Sequence, residues 1–570
     1  MNHTTPAIVA QASARALPRV VMLLLALAYV LPGFLGRAPW RNADLAAFGV
    51  VWDMVHVSGD WWRPQVLGQA AEVQAWLPYW LGAWAVQALP VLPPDLASRL
   101  PAGLMLLGTL LCTWYATYHL ARSPQAQPVS FAFGGEAQPT DYARAMADAA
   151  VLALMACLGL ALLSHQATPA VAQLFGAALL WQGAARLGSP PPRAAWRTVA
   201  AWWLGSACLA TSGAPWLALV LGGGWLLGLA IQRGKGIAGA TAGLWWLCAA
   251  GTLGAWAVSL WGLGHQTDWS PWGNAWTLDT GRWSRYTQLL LWFNWPAWPL
   301  ALWTLWRWRR RWWNLHVALP LWLVGVGLVS AWVTPGSDRA LLLVLPALAG
   351  LAAFALPTMR RSVTAFIDWF ALLFFSACVV VIWVYGAAMH TGAPAKAAAT
   401  VARLAPGLEI IPWQSGLVLP AALATAAWLG VLVWRVGRHR PALWKSLVLS
   451  ATGSTVCWLL LMTLWLPLLD LGLSDARLAR RIADQAPPGA CALVHGLTQG
   501  QIAALQLHGR LALARATGPG APGTNGCKLL VVEPSAYTSL GSVVNMADWR
   551  LLASVPRLRE NRDSLLVFGR

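Results

Sequence analysis

RAPWRNADLAAFGVVWDMVHVSGDWWRPQVLGQAAEVQAWLPYW, residues 37–80, separates the first hydrophobic stretch of the chain from the second. It carries Asp44, Asp53, Asp60 and Glu72, four of only 20 acidic residues in the 570-residue chain. A sequence that is 58% hydrophobic and 10% charged places acids only where a polar surrounding tolerates or needs them. An acid-bearing loop directly after a first span therefore marks the polar mouth of a membrane protein.

The rest of the chain fits that frame. Mean hydropathy is +0.55, which excludes an ordinary soluble protein, and many runs reach the roughly 18 apolar residues that a membrane span needs. The formal charge of +19 does not point to nucleic acid. Its basic residues sit in short clusters between spans, as the positive-inside rule requires. Arg15 and Arg19 precede VVMLLLALAYVLPGFLG (20–36) with no small-x-small cleavage site, so this reads as an uncleaved first span with a cytoplasmic N-terminus.

Spans are expected near 19–36, 99–121, 148–164, 169–187, 197–211, 214–232, 238–263, 287–306, 314–333, 339–356, 364–387, 416–435 and 446–468, roughly thirteen helices. The odd number places the two ends of the chain on opposite sides. Arg193 and Arg197, Arg233 and Lys235, the RWRRRWW cluster at 307–313, Arg360 and Arg361, and VGRHRPALWK at 436–445 then share the cytoplasmic face. The segment 76–92 is apolar but short and interrupted by proline. A crossing there would put every later cluster on the wrong side, so it reads as a helix in the outer interface, anchored by Trp76, Tyr79, Trp80 and Trp84. Residues 43–57 read as a second interfacial helix with Asp44 near its N-terminus, where a carboxylate complements the dipole. The stretch 122–146, rich in Pro, Gly and Gln, reads as a flexible linker.

Composition changes near 471. SDARLARRIADQA forms an amphipathic helix, CALVHGL a strand and LTQGQIAALQLHG a second helix, and LALAR, CKLLVVEP, WRLLASV and SLLVFGR read as further strands. The expected architecture is a polytopic α-helical membrane domain over 1–470, with interfacial helices in its first periplasmic loop (37–98), and a periplasmic α/β domain over 471–570. Six of the eight cysteines fall in spans, where Cys behaves as a small hydrophobe. Cys491 and Cys527 both lie in the exported tail, each beside a strand, and are expected to form a disulfide.

A helix, an acidic interfacial loop, many spans and an exported α/β tail together resemble the GT-C glycosyltransferases, in particular the group of bacterial lipid A aminoarabinose transferases and protein O-mannosyltransferases (glycosyltransferase family 39-like). Asp44 and Met54 have the spacing of that group's loop acid and the Met ending its first interfacial helix. GDWWRPQVLG (59–68) resembles its GDW-x-x-P-x-x-x-G run, WLPYWLGAWAVQAL (76–89) its PPLxYWL helix, and ASRLPAGLMLLGTLL (97–111) its ARLPSAL opening. PGSDRALLLVLPALAGLAAF (335–354) is similar to its late S-K-x-x-x-Y-x-LP-x-x-P-x-LAL span. The resemblance implies transfer of a sugar from a polyprenyl (undecaprenyl) phosphate to a lipid, glycan or protein on the periplasmic side of a bacterial inner membrane. The chain also departs from the pattern. Ala43-Asp44 stands where two acids are usual, Gln74 aligns with the lysine near the lipid phosphate, and Leu343 with the late Tyr. SHQATPAVAQLF (164–175) lacks the second loop's carboxylate.

Such chemistry needs a base for the acceptor, groups that hold the leaving phosphate and an apolar groove for the lipid. Asp44 is the candidate base, and its helix-capping preference is the competing reading. Asp60 and Glu72 are secondary candidates, with solvated loop acids as the alternative. Asp53 is at i+9 from Asp44, on a different helix face. Arg63, Arg282, Arg285 and Arg339, with Gln74, are candidates for the donor phosphate, because guanidinium presents paired donors; headgroup anchoring is their alternative role. His165 is a candidate acceptor-side or metal-binding group, against a structural hydrogen-bonding role. No segment has convincing metal-ligand spacing, and a divalent ion at Asp44 would rest on one carboxylate. The aromatic run 292–308 reads as an aromatic belt and packing surface, with a lipid groove as the alternative. The expected partners are membrane lipids and the lipid-linked donor. Two other readings stay open: a catalytically degenerate GT-C-like protein acting in envelope assembly, and a transporter, against which the acids avoid span centres.

Overall fold

The computed structural model describes residues 5–189, 195–234, 242–263, 280–334, 338–406, 415–436, 442–486, 490–516, 527–556 and 564–570. Helices dominate. In chain order they are α1 (Arg19–Phe34), α2 (Ala43–His56), α3 (Leu77–Ala88), α4 (Pro94–Ala121), α5 (Pro139–Ala156), α6 (Leu158–Leu163), α7 (Pro169–Leu187), α8 (Ala195–Thr211), α9 (Pro215–Gly234), α10 (Ala242–Leu263), α11 (Thr280–Phe293) and α12 (Ala297–Arg307). They continue with α13 (Leu315–Val333), α14 (Leu345–Ala355), α15 (Arg361–Thr391), α16 (Ala395–Leu404), α17 (Ser415–Val436), α18 (Lys445–Leu464) and α19 (Leu466–Leu473), and the tail holds α20 (Ala476–Ala483), α21 (Gln499–Leu507) and α22 (Tyr537–Leu540).

Among the described residues, eight helices are long and apolar enough to cross a membrane, and α1 is a shorter apolar helix. The protein is therefore a multi-pass membrane protein, and several of the thirteen expected spans are broken or shortened among the described residues. Hydropathy alone does not see where a helix breaks. The expected span 148–164 divides at Cys157 into α5 and α6, and 287–306 divides at Asn294–Pro296 into α11 and α12. Expected spans 169–187 and 197–211 are helical and packed on each other as α7 and α8. A Cβ at Gly205 would lie 2.6 Å from the Leu180 backbone nitrogen, so only glycine permits this approach. Small residues at helix contacts suit a bilayer, where lipid tails are as apolar as leucine and association depends on close packing.

Indole N–H groups supply cross-helix hydrogen bonds. Trp225 donates to Leu319 O at 3.0 Å, Trp465 to Ile382 O at 2.8 Å, and Trp202 to Thr252 Oγ1 at 2.8 Å. Each side chain thereby buries a large apolar body and satisfies its one donor. The aromatic run 292–308 does line an apolar cleft, where Trp295 and Trp303 face Phe366 and Phe370 of α15.

The stretch 122–146 is not a free linker. Val129 and Ala137 donate to Ala7 O and Val9 O, and Gln11 N donates to Gly135 O. The N-terminal segment and this loop satisfy each other's backbone groups, which an apolar surrounding would leave costly, and α5 begins at Pro139.

The tail forms a five-stranded sheet. Its strands β3 (Cys491–His495), β4 (Ala512–Arg515), β5 (Leu529–Val532), β6 (Arg550–Pro556) and β7 (Ser564–Gly569) follow a small hairpin, β1 (Gln65–Val66) and β2 (Gln69–Ala70), in the first loop. The sheet order is β4-β3-β5-β7-β6. Strands β4, β3 and β5 are parallel, while β7 is antiparallel to both β5 and β6. A disulfide joins Cys491 and Cys527, at the starts of neighbouring parallel strands. Helix α21 opens with a capping box between Thr498 and Gln501 and packs on α2. A Cβ at Gly49 would stand 2.9 Å from that of Ala503. Gln499 donates to Ala70 O at 2.7 Å and accepts from Glu72 N at 3.2 Å. The tail is thus docked on the first loop.

Candidate active site

Asp44 sits in the first turn of α2, just after Asn42, whose φ of 66° turns the chain into the helix. Its side chain is buried, with 1% exposure. Oδ2 accepts from Arg37 Nη1 at 2.7 Å and from the Trp40 amide at 3.0 Å, and Oδ1 accepts from the Ala167 amide at 2.8 Å. The last bond spans 123 residues and ties the first loop to the 164–168 connection. Arg37 completes the network. Its Nε donates to Gly33 O at 2.7 Å, and Nη2 donates to His165 O at 2.6 Å. Its guanidinium also lies 4.3 Å from the Trp40 ring centroid. Trp40 Nε1 donates to Asp470 Oδ1 at 3.1 Å, which brings in α19.

Burial by itself raises the Asp44 pKa. The charges of Arg37 and Arg99, with the hydrogen bonds from Arg37 and Trp40, outweigh it and hold the carboxyl below the usual carboxylate range. At Asp470 burial wins, and the pKa is raised despite the bonds from Trp40 and Ala38 and the charges of Arg37 and Arg99.

Asp44 lines a cleft between α2, α3 and the start of α4. Pro39, Phe48, Tyr79, Asp95, Arg99 and Thr168 are among its other walls. Helix α3 is held over the cleft by its tryptophans. Trp76 and Trp80 stack at 5.6 Å between ring centroids, and their indole N–H groups donate to Trp62 O and Trp61 O. Arg99 is 2% exposed. Its Nε and Nη2 donate to Asp95 O and Oδ2 at 2.7 and 2.6 Å, and its Nη1 is buried with no hydrogen-bond partner among the described residues. Thr168 Oγ1 is in the same condition. A buried guanidinium with a spare donor, facing a cleft beside a carboxylate, is suited to an anionic oxygen.

The expected residues separate into two sets. Arg339 reaches the centre indirectly: its Nη2 donates to Gln166 Oε1 at 3.0 Å, next to the Ala167 amide on Asp44, and its Nε is buried without a partner among the described residues. His165 is fully buried. Nε2 faces Tyr29 O at 3.1 Å, Nδ1 faces Ala161 O, and the ring packs among Tyr29, Phe34 and Trp458. It pins helices together, and its backbone oxygen, not its ring, serves the Asp44 network. Asp60 is absorbed in its own turn, accepting from the Trp62 and Arg63 amides at 2.9 and 3.1 Å. Glu72, Arg63 and Arg285 are exposed. Gln74 donates to Ala71 O at 3.0 Å. Arg282 lies on α11, with its side chain outside the described residues. Asp53 accepts from Leu67 N at 3.0 Å and supports the hairpin. Among the described residues, no group of three His, Cys, Asp or Glu is placed to hold a metal ion.

The sequence reading missed Arg37, Arg99 and Asp470. Each had a signal: a cation seven residues before the one acid of interest, an arginine opening a span, and an acid closing the last one.

No family model and no curated protein matches the sequence. Solved structures do. ArnT from Cupriavidus metallidurans bound to undecaprenyl phosphate superposes with a TM-score of 0.61 at 14% identity, covering 96% of this chain and 97% of that one. The apo form of the same protein gives a TM-score of 0.63 at the same identity and coverage. An archaeal oligosaccharyltransferase, AglB from Archaeoglobus fulgidus, overlaps more loosely at 10% identity and a TM-score of 0.43, over 90% of this chain and 69% of that one.

Proposed function

We propose, from the GT-C fold that the chain shares with ArnT over 96% of its length, that it is a membrane glycosyltransferase that moves a hexosyl or pentosyl group from a polyprenyl-phosphate donor to a lipid, glycan or protein acceptor. We place it in the inner membrane of a bacterium, with the cleft and tail on the periplasmic side. The single observation that carries this reading is the buried Asp44 carboxylate sharing one cleft with the unpartnered Nη1 of Arg99. The undecaprenyl phosphate held by ArnT is a donor class of the right chemistry for that pairing.

A carboxylate offers about four acceptor positions, and three of those on Asp44 are used by Arg37, Trp40 and Ala167. The fourth is free to accept from an acceptor hydroxyl or amine in the cleft. The acceptor heteroatom then bonds to the sugar's anomeric carbon, the bond from that carbon to the phosphate oxygen breaks, and its electron pair leaves with the polyprenyl phosphate. Arg99 meets the charge on that phosphate, with Arg339 as a second donor. Asp44, a weak base at its lowered pKa, orients the acceptor and takes its proton late in the transfer. The three bonds that fix the carboxylate pre-orient it.

The complete pairing of Asp44 with Arg37 also fits a second reading, a GT-C-like protein in which the pair is structural only and catalysis is lost. One experiment separates the two. Membranes carrying wild type, Asp44→Asn or Arg99→Gln are supplied with a polyprenyl-phosphate-sugar pool, and glycosylated product is counted against inserted, folded protein. Product from wild type that falls in both variants supports the transferase. Equal product from all three removes Asp44 and Arg99 as its machinery.

A further inference from the structure

A second cleft, with none of its walls shared with the Asp44 cleft, lies where Arg41 meets the turn between α19 and α20. Arg41, Ser474, Asp475, Arg477, Arg481 and Pro556 are among its walls, so it is built from the first loop, the α19–α20 turn, α20 and the end of β6. The backbone sets its width: the Arg41 amide donates to Leu473 O at 2.6 Å. Three guanidinium groups against one carboxylate leave a formal charge of +2. Asp475 and Arg477 have partners of their own. Arg41 and Arg481 are exposed and enter no ion pair among the described residues.

Cations that converge without counter-charge repel one another, and an anion between them removes that repulsion. Arginine further selects for planar or tetrahedral oxyanions, because its fork engages two oxygens at once. We propose that this cleft is an anion site for a phosphate monoester, whose dianionic form matches the +2 of the walls. The ligand is either a free phosphate compound or the headgroup of a phosphorylated lipid. The site stands apart from the Asp44 cleft and does not depend on the transferase reading.

The test uses the full-length protein in phosphate-free maltoside micelles, with inorganic phosphate and dihexanoyl phosphatidate as calorimetric probes. Wild type is expected to bind at least one probe. The double variant R41Q/R481Q is expected to weaken that binding by about tenfold or more, the loss of one or two charge-assisted bonds. R41K should fall between them by keeping the charge without the fork. R515Q, an exposed arginine on the edge strand β4, should match wild type. Binding of phosphatidate should strengthen from about pH 5.5 to about 7.5 as the monoester loses its second proton near pH 6. Phosphatidate alone binding identifies a lipid headgroup as the source, and inorganic phosphate binding equally well identifies a free anion. Absence of binding by either probe, or equal weakening in R515Q, overturns the proposal. Retained thermal transitions in the variants exclude misfolding as the cause.

Discussion

Among the described residues, Asp44 and Asp368 are each paired with an arginine from outside their own helix, and the two pairs are built differently. Asp44 and Arg37 have 1% and 0% side-chain exposure. Every side-chain nitrogen and oxygen atom of that pair has at least one partner: backbone amides from two segments meet the carboxylate, and carbonyls of Gly33 and His165 meet the guanidinium. Asp368 and Arg435 are 12% and 15% exposed. Their pair joins α15 to α17, but Asp368 Oδ1 and Arg435 Nε are buried with no partner among the described residues. Removing a charge from water is offset only when its remaining hydrogen-bonding capacity is also satisfied. The first pair is a complete polar network lining a cleft; the second is a clip between two helices. The difference teaches that burial alone does not single out an ion pair, and the proposed role of Asp44 rests instead on a completed shell beside a cleft.

The sharpest way to break this contrast is to measure transfer. Asp44→Asn, compared at equal folded protein, should lower the sugar-transfer rate by about 10²–10⁴-fold, the usual span for a positioned proton acceptor. Asp368→Asn should leave the rate within about twofold. Equal effects at both positions would reduce Asp44 to a second clip.

Stability gives the next largest contrast. Asp44→Ala leaves Arg37 buried and uncompensated, and should cost about 3–5 kcal/mol, read as a fall in thermal midpoint in detergent. The double substitution Arg37→Met with Asp44→Leu removes both charges and should recover much of that stability, while transfer stays lost. A double variant that is as unstable as Asp44→Ala would show that the amide bonds to Asp44, and not the ion pair, hold the loops.

Much of this architecture was legible in the sequence, and the limits have physical causes. The tail strands and helices fell where alternating apolar runs and turn residues placed them. Cys491 and Cys527 paired because they alone lay outside the spans. Span lengths were misread because a breaker such as Asn294–Pro296 hides inside an apolar run. At the site, Asp44 stood out as a lone acid near a helix start. Its partners did not, since the Ala167 amide is 123 residues away and backbone donors leave no trace in composition. Arg99 looked like an ordinary span-opening arginine; only the fold brings it into the wall of the Asp44 cleft.

Titration separates contributions within the complete network. His165 lies in the 164–168 connection, and burial lowers its pKa to about 4, with Arg37 adding to the drop and the facing carbonyls of Ala161 and Tyr29 opposing it. The unfolded chain therefore binds this proton first as pH falls, so stability should decline from about pH 6.5 to about pH 4, by roughly 3 kcal/mol in total. Asp44 acts in a lower window. Its folded pKa is depressed, so its contribution is complete above about pH 4 and is lost only as pH falls further. His165→Phe keeps an aromatic ring against Tyr29, Phe34 and Trp458, and should make the upper window shallower, leaving the share of His508, which burial also lowers to about 4, and leaving the lower window unchanged. An upper window of unchanged slope would mean that His165 does not titrate there.

The smallest effect belongs to the clip. Asp368→Asn should cost about 1–2 kcal/mol, between the values for exposed and fully buried pairs, because the pair is partly exposed and already incomplete. Arg435→Met should cost a similar amount, and the two together little more than either alone, since a pair that contributes mainly through its own attraction is lost once. A double variant whose cost is the sum of the singles would show that each side chain works through separate packing. The ion pair would then not be what joins α15 to α17.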